Sequence, residues 1–409
     1  MRFIWIFILF WSSVLAHENE KQKAMVVSWG DIIVGNFQGA ARLDTPERIR
    51  QAVSIWKSHG IDQVFFRADS FRVLLFHKFS PHNDPKQKSI MGKVKVAWEL
   101  DLLKVALDAM RKEGIRAYVW LTVLDEGCPP EVLYSDSTPF PWQSHFTREN
   151  PWYLVCDRSL TPNNRKYHWG FLEYAYPEVR KYMLQVIRAF SDRFNFDGVF
   201  LSLRSHSPPP SHADQFGFNE PVVLEFRKRY GRDILRESFD LEKWRELRGD
   251  FFTTFLQQVK NHLIGEGQKL AVGVQQGEYL GPPLGNMRIQ WRRWVSEGII
   301  DQLVVGHITE ERARYPKRTQ RAMGYLQSQE NTLGLPHIEK ALREKYAPLC
   351  VQYGVDLYTD PSRFYLSFSH ASYGRGHQQM DVRKNLLVKL KEIPGLTGIM
   401  ESYAGLMRH

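Results

Sequence analysis

The sequence predicts a (β/α)8 TIM barrel that forms a single domain. Eight short apolar runs end in polar residues, and at least one stretch of helical spacing separates each run from the next. No Gly-x-Gly-x-x-Gly motif follows the first run, which argues against a doubly wound dinucleotide-binding sheet. A long loop follows the third predicted strand, and a helical insert follows the fourth. We therefore expect one large α/β barrel with two elaborated loops.

The first 16 residues have the pattern of a secretory signal peptide. One basic residue, Arg2, precedes an apolar run from Phe3 to Trp11, and small residues lead to Ala16. This run is short for a membrane span, and no later stretch approaches that length. We expect a secreted or periplasmic protein with a polar spacer at 17–24, a barrel domain at 25–409 and no integral membrane segment after cleavage. An uncleaved N-terminal anchor is the alternative.

The first half of the chain predicts three strands and two helices. The first strand covers 25–31, and the helix after it has Thr45 as its N-cap, Pro46 at its first position and Gly60 at its end. The second strand runs into polar residues near position 67. A helix over 97–114 has apolar residues at helical spacing and leads into the third strand.

The connection at 128–169 is long, aromatic and rich in proline. Long loops without secondary structure of their own are uncommon in compact domains and are often functional. Trp142 and Trp152 lie in this connection. Their rings fit two roles, stacking on the apolar face of a sugar and fixing the loop to the barrel, and the sequence favours neither.

The second half of the chain supplies the other five strands. A helix over 176–194 leads to the fourth strand, which is centred on 199–201, and two helices at 219–231 and 240–267 form the insert. The remaining predicted strands are 269–281, 299–309, 355–360 and 396–405.

Polar side chains collect where the predicted strands end. The active site of a barrel lies at the C-terminal ends of its strands, so these side chains are candidates for substrate binding. The candidates are Arg67, Asp69, Asp125, Glu126, Arg204, His206, His212, Gln276, His307 and Tyr403, together with the loop residues Trp142 and Trp152.

Two stretches resemble a known family. The helix YPEVRKYML with the following FDGVFLSL, and the later HADQFGFNEPVVLEFRKRYGRDI, resemble the glycosyl hydrolase-like family 10 group of bacterial (β/α)8 proteins. The resemblance covers most of the mature chain and implies a carbohydrate substrate and glycosidic cleavage. In that group the strand that begins Asp-Gly usually ends in a carboxylate, whereas this chain has Ser202 and Arg204 there. Asp197 does match, but its place before a glycine fits a structural turn residue better.

Glycoside hydrolysis normally needs two carboxyl groups, one as proton donor and one as nucleophile or base. With the family acid absent from strand four, other strand ends must supply them. Glu278 and Glu401 are our first catalytic candidates, because each lies at the polar end of a predicted strand and a glutamate side chain reaches far into a cleft. Asp214 is the next. Each of these acids also fits an ion-paired residue at the rim.

The net charge of +10 and the pI near 9.3 favour an anionic partner. The basic residues are spread along helices, which argues against nucleic acid. For an exported protein, the expected partner is an acidic or sulfated glycan. Arg204 and His206 suit a carboxylate or sulfate group on the sugar, or a salt bridge to Asp214.

The sequence predicts neither a metal nor a cofactor. Three cysteines, Cys128, Cys156 and Cys350, are too few and too scattered for a zinc site, and we favour free thiols over a bridge from Cys128 to Cys156. The spacing of His206 and His212 before Asp214 is not a recognised ligand pattern.

Three functions remain open from the sequence. The first is a glycoside hydrolase, and the second is a carbohydrate-binding barrel that does not catalyse, supported by the missing acid of strand four. The third is a lyase acting on uronic-acid polysaccharides, in which Arg204 neutralises the substrate carboxylate and a histidine or tyrosine removes the proton.

Overall fold

The structure, a computed structural model, describes most of the chain. The described residues are 21–28, 31–32, 42–68, 85–124, 126–128, 142–161, 170–203, 214–275, 277–279, 287–306, 335–360 and 387–403. The predicted signal at 1–16 lies outside them. Within the described ranges, no helix is long and apolar enough to cross a bilayer.

Eight parallel strands close into a barrel, which confirms the predicted (β/α)8 fold. The strands follow one another around the barrel in chain order, and the first pairs with the last. They are β1 Gln22–Val27, β2 Ile61–Arg67, β3 Arg116–Thr122, β4 Gly198–Ser202, β5 Lys269–Gln275, β6 Gln302–Gly306, β7 Asp356–Asp360 and β8 Gly398–Ser402.

Helices connect the strands on the outside of the barrel. They are α1 Pro46–Ser58, α2 Pro85–Glu99, α3 Leu102–Lys112, α4 Pro177–Arg193, α5 Glu220–Tyr230, α6 Leu241–Gly265, α7 Trp291–Ser296, α8 Leu335–Ala341 and α9 Ala347–Tyr353, with a π-helical turn at Leu342–Tyr346 between the last two. The long connection after β3 contains a short helix His145–Glu149, a 3-10 turn Pro151–Tyr153 and a small antiparallel pair of Gly127–Cys128 with Trp142–Gln143.

Local chemistry sets the helix boundaries. The Thr45 side chain accepts a hydrogen bond from the backbone N–H of Arg48 at 3.3 Å, and Pro46 occupies the first turn of α1. The predicted helix over 97–114 is interrupted instead. Asp101 has φ of 49°, a left-handed conformation that aspartate tolerates, and it separates α2 from α3.

The first strand also differs from its prediction. It begins at Gln22, inside the predicted polar spacer, and ends at Val27 rather than at position 31. The reason is its pairing, because Gln22 to Val26 are in register with β8. Lys23 and Gln22 are polar, so periodicity alone did not place them in a strand.

The barrel interior is filled by side chains. Phe65 packs at 4.6 Å from Phe200 and at 5.3 Å from Tyr118, measured between ring centroids. Below this layer, Gln302 donates from Nε2 to the Tyr118 hydroxyl at 2.9 Å and to Gln63 Oε1 at 3.2 Å. These buried polar groups satisfy one another, so the lower half of the barrel is a closed core. The part of the barrel open to a ligand therefore lies above it.

Two cysteines are buried free thiols, Cys156 and Cys350. Burial raises the pKa of each thiol to about 12. They therefore act as small apolar side chains in the core.

Candidate active site

Strand alternation identifies the side chains that face the upper barrel. Residues two apart share a face of a strand, so the residue two positions beyond an interior aromatic also points inward. Phe65, Trp120, Phe200 and Tyr358 all belong to the interior cluster. Two positions further along β2, β3, β4 and β7 lie Arg67, Thr122, Ser202 and Asp360, which we call the barrel mouth.

The barrel mouth is polar and nearly enclosed. The exposed fraction is 8% for Arg67, 1% for Thr122, 0% for Ser202 and 5% for Asp360. A set of polar side chains above an apolar core, at the end of the barrel where active sites lie, is a candidate site for polar ligand atoms. The set includes one guanidinium, Arg67, and one carboxyl group, Asp360.

Trp120 forms the floor under the barrel mouth and was not among the site residues predicted from the sequence. The Arg67 guanidinium carbon lies 5.3 Å from the centroid of the Trp120 ring. The Nε1 atom of Trp120 is buried and has no acceptor among the described residues. A buried donor left without an acceptor is unfavourable by about 1–3 kcal/mol, so this edge is suited to an oxygen of a ligand. The available signal was an inward-facing aromatic on a strand with a polar end.

Glu278 follows β5 and is held by a neighbouring helix. Its Oε1 accepts hydrogen bonds from Arg292 Nη1 at 2.5 Å and from Trp291 Nε1 at 3.2 Å. Its side chain is 5% exposed, against 47% for Arg292. Both bonds use the carboxylate as an acceptor, an arrangement that fits a nucleophile or base better than a proton donor.

Asp214 is fully engaged by one arginine. Its two oxygens accept from Arg245 Nε at 2.9 Å and from Nη2 at 2.5 Å. Arg245 also donates to Glu242, and its own side chain is only 5% exposed. The bidentate pair therefore ties Asp214, where the described chain resumes after β4, to helix α6.

Glu401 lies on the other face of its strand from the barrel interior. Met400 belongs to the interior cluster, whereas Ile399 and Tyr403 belong to the outer core between strands and helices. Glu401 alternates with Met400 and is therefore in register with the outward set, beside Met25 of β1. Its reach toward the barrel mouth depends on the long side chain rather than on strand geometry.

The other described candidates have structural contacts. Glu126 is fully buried and accepts from the Tyr182 hydroxyl at 3.1 Å. Tyr403 is buried with its ring 5.9 Å from that of Trp56, and burial raises the pKa of its hydroxyl to about 12. Trp152 is 56% exposed, which leaves its ring accessible.

The remaining candidates fall at the limits of the described residues or outside them. The backbone of Trp142 pairs with the strand at Gly127–Cys128. The positions that lie outside the described residues are Asp69, Asp125, Arg204, His206, His212, Gln276 and His307. Among the side chains that are described, no three His, Cys, Asp or Glu residues are arranged to hold a metal ion.

Asp31 is a second residue that was not among the predicted site residues. It follows β1, is 7% exposed, and its Oδ2 accepts from the backbone N–H of Ser28 at 2.7 Å and from its hydroxyl at 2.8 Å. Burial is the main cause that raises the pKa of this carboxyl to about 6. Its position at the end of a predicted strand was the available signal.

Solved structures share this architecture. The catalytic domain of β-amylase from Paenibacillus polymyxa has a TM-score of 0.50 and 11% identity, covering 93% of this chain and 92% of that one. The PgaB (BpsB) glycoside hydrolase domain from Bordetella bronchiseptica has a TM-score of 0.52 and 10% identity, covering 95% and 96%. At these identities the likeness shows the fold. No curated protein sequence matches the chain.

A family match covers more of the sequence than the two quoted stretches. The profile of the family described as glycosyl hydrolase-like 10 matches residues 41–333, which is most of the chain and includes β2 to β6. The match agrees with the resemblance in the fourth strand and its insert. This chain belongs to the glycosyl hydrolase-like 10 family.

Proposed function

We propose that this protein is an exported glycoside hydrolase that cleaves a glycan at the barrel mouth. The observation that carries the proposal is the buried polar set of the mouth above an aromatic floor, at the end of the barrel where active sites lie. Membership of a glycosyl hydrolase-like family supports a carbohydrate substrate. The net charge of +10 and the inward Arg67 support a substrate that carries negative charge.

The proposed carboxyl pair is Asp360 with Glu278. Asp360 is inward-facing at the end of β7, and Glu278 follows β5, so only β6 separates the two strands. Glu278, as an acceptor of two hydrogen bonds, takes the role of nucleophile or base, and Asp360 takes the role of proton donor. Arg67 and Trp120 bind oxygen atoms of the sugar. Export rests on the N-terminal signal pattern alone.

Asp214 and Glu401 stay weaker catalytic candidates. Asp214 would have to leave a bidentate ion pair with Arg245 before it could act on a substrate. Glu401 belongs to the outward set of β8.

The test is turnover of a broad panel of neutral, carboxylated and sulfated glycans, measured as the release of new reducing ends. Asp360→Asn and Glu278→Gln should each lower kcat/KM by at least about a hundredfold, because positioned acid–base groups contribute that much or more. Asp108→Asn, which removes a carboxylate from exposed ion pairs on α3, serves as the control and should leave kcat/KM within about twofold.

Three results would contradict these assignments. Absence of turnover on the whole panel would contradict the proposal that the protein is a hydrolase. Inactivation by Glu401→Gln together with an active Asp360→Asn variant would overturn the choice of carboxyl groups. A product that absorbs in the ultraviolet would show lyase chemistry on a uronic acid instead.

A carbohydrate-binding barrel without catalysis is the second candidate. Ser202 occupies the inward end of β4 with no exposed surface, so strand four has no acid at this position. Glu278 and Asp214 are both paired with arginines. Tight binding of a panel glycan with no turnover at any pH would favour this function.

A further inference from the structure

A groove lies among the loops on the C-terminal side of the barrel. It has a volume of about 440 Å³ and is lined by, among others, Arg158, Asp214, Gln215, Phe218, Phe239 and Leu241, which we call the flank groove. These residues come from the connection after β3, the segment before α5, and the connection from α5 to α6. No residue of the proposed catalytic pair lines it.

Arg158 is held in a fixed orientation in the flank groove. Its Nε donates to the carbonyl of Leu235 at 3.0 Å, and its Nη2 donates to the carbonyl of Glu237 at 2.6 Å. Its guanidinium carbon lies 5.6 Å from the centroid of the Phe239 ring. One edge of the guanidinium is thus occupied by backbone carbonyls. The edge formed by Nη1 and the second proton of Nη2 has no hydrogen-bond acceptor within the described part of the chain.

The acidic neighbours of Arg158 are committed elsewhere. Asp157 Oδ1 accepts from the backbone N–H of Ser159 at 2.9 Å, from the Ser159 hydroxyl at 2.6 Å and from the N–H of Thr161 at 3.1 Å. Asp214 is held by Arg245 through both oxygens. Across the described ranges, no carboxylate forms a salt bridge with Arg158. The groove therefore presents a positive charge in a fixed geometry.

The flank groove also offers apolar surface and is linked through Arg245 to the residue that follows Glu278. Phe218 and Phe239 contact each other edge to face with ring centroids 6.1 Å apart. The guanidinium carbon of Arg245, which binds Asp214, lies 5.3 Å from the centroid of the Tyr279 ring. Tyr279 directly follows Glu278 in the chain. These contacts give a route by which a glycan longer than one sugar, bound at Glu278, would reach the groove.

We infer that the flank groove is a second subsite, which binds a sugar bearing an oxyanion. The Phe239 and Leu241 surfaces contact the apolar face of the sugar ring, and the remaining edge of Arg158 binds a carboxylate, sulfate or phosphate oxygen pair. This inference deepens the proposed function, on which it rests, because it adds to the barrel mouth a second site that selects a charged sugar.

The experiment measures binding of oligosaccharides to the full chain. The probes are carboxylated, sulfated and phosphorylated oligosaccharides, each paired with its neutral counterpart of equal length, and the readout is Kd by titration calorimetry. Arg158→Gln should weaken binding of the preferred charged probe by at least about tenfold and leave its neutral counterpart within about twofold, because only a charge-assisted hydrogen bond is removed. Arg158→Lys should recover part of the affinity, since it restores the charge without the planar edge.

Arg232→Gln is the matched control. Arg232 lies on the same α5–α6 connection, is 61% exposed and pairs with Glu237 at 3.7 Å, so its loss changes the net charge equally without touching the groove. Its Kd for each probe should equal that of the wild type. Thermal unfolding of each variant checks that the connection stays folded, and Phe239→Leu supplies a second groove variant that keeps every charge.

The outcomes separate this inference from the proposed function. If binding depends on Arg158 but no glycan is turned over, hydrolysis is excluded and the subsite is supported. Turnover of a glycan with equal Kd for charged and neutral probes, or with equal losses in Arg158→Gln and Arg232→Gln, would overturn the subsite and keep hydrolysis. An equal loss for charged and neutral probes in Arg158→Gln would show that Arg158 only braces the connection, which also overturns it.

Discussion

Arg248 and Glu173 form an ion pair that is almost completely removed from solvent. Arg248 donates from Nε at 3.1 Å and from Nη2 at 2.9 Å to Glu173 Oε2, and the two side chains are 1% and 3% exposed. Arg248 Nη1 also donates to the carbonyl of Phe216 at 3.4 Å. The pair joins α6 to the segment that enters α4, and it holds the wall on which the flank groove is built.

Breaking this pair should strongly destabilise the fold. Arg248→Met leaves the Glu173 carboxylate buried without its partner, so the free energy of unfolding should fall by about 3–5 kcal/mol. Urea unfolding measures the change. Arg50→Met removes one member of the exposed pair with Glu47 on α1, where the side chains are 60% and 77% exposed, and should cost less than about 1 kcal/mol. Equal losses in the two variants would contradict the role assigned to burial.

Gly217 should not tolerate a side chain. Its φ is 119°, and a Cβ atom there would lie 2.5 Å from the Arg248 guanidinium, which is itself fixed by Glu173. Gly217→Ala should therefore lower the free energy of unfolding by about 2 kcal/mol or more. Gly265→Ala, at the end of α6 with no atom within 4 Å of the added Cβ, should be neutral or stabilising. A neutral Gly217→Ala variant would show that Arg248 can move.

Asp31 should make stability depend on pH in a defined window. Its pKa is raised from 3.8 to about 6 in the folded protein, so the folded state binds the proton more tightly than the unfolded state. The free energy of unfolding should therefore fall as the pH rises from about 4 to about 6, by up to about 3 kcal/mol for this group, and then level off. Asp31→Asn should flatten this part of the profile. A variant that keeps the wild-type slope would assign the slope to other groups.

Trp120 should contribute to glycan binding through its indole N–H. Trp120→Phe removes the buried Nε1 donor and should raise the Kd of a bound glycan by about fivefold to tenfold, the effect of one hydrogen bond. Trp56→Phe is the control, because its Nε1 is also buried without a partner in the described chain but lies in the outer core. Equal Kd values for wild type and Trp120→Phe would show that the donor does not reach the ligand.

The sequence was sufficient for the fold because local patterns specify it. Thr45, Pro46 and Gly60 delimit α1 through capping and backbone conformation, which are properties of neighbouring residues. The strands of a parallel barrel are buried apolar runs, so their existence is visible without any knowledge of pairing. The ends of the strands cannot be read from such runs. β1 begins three residues before its predicted start because β8 pairs with those residues.

The candidate site was less predictable because it depends on which face of a strand each residue occupies. Glu401 and Met400 are adjacent, and only the packing of Met400 inside the barrel shows that Glu401 is in register with the outward set. The same alternation selects Asp360 on β7. Ion pairs between residues distant in sequence could not be predicted either, since Arg245 lies 31 residues from Asp214 and Arg248 lies 75 residues from Glu173.

Closure of the barrel through β1 and β8 has a consequence for how the chain can be divided. The region matched by the family profile, 41–333, holds β2 to β6 but not the three strands that complete the circle. In this chain β2 pairs with β1, and β6 pairs with β7. A fragment cut to the matched region would present two unpaired strand edges, which favour association between copies. The region of family similarity is thus smaller than the closed barrel. An expressed fragment needs the segments on both sides of 41–333.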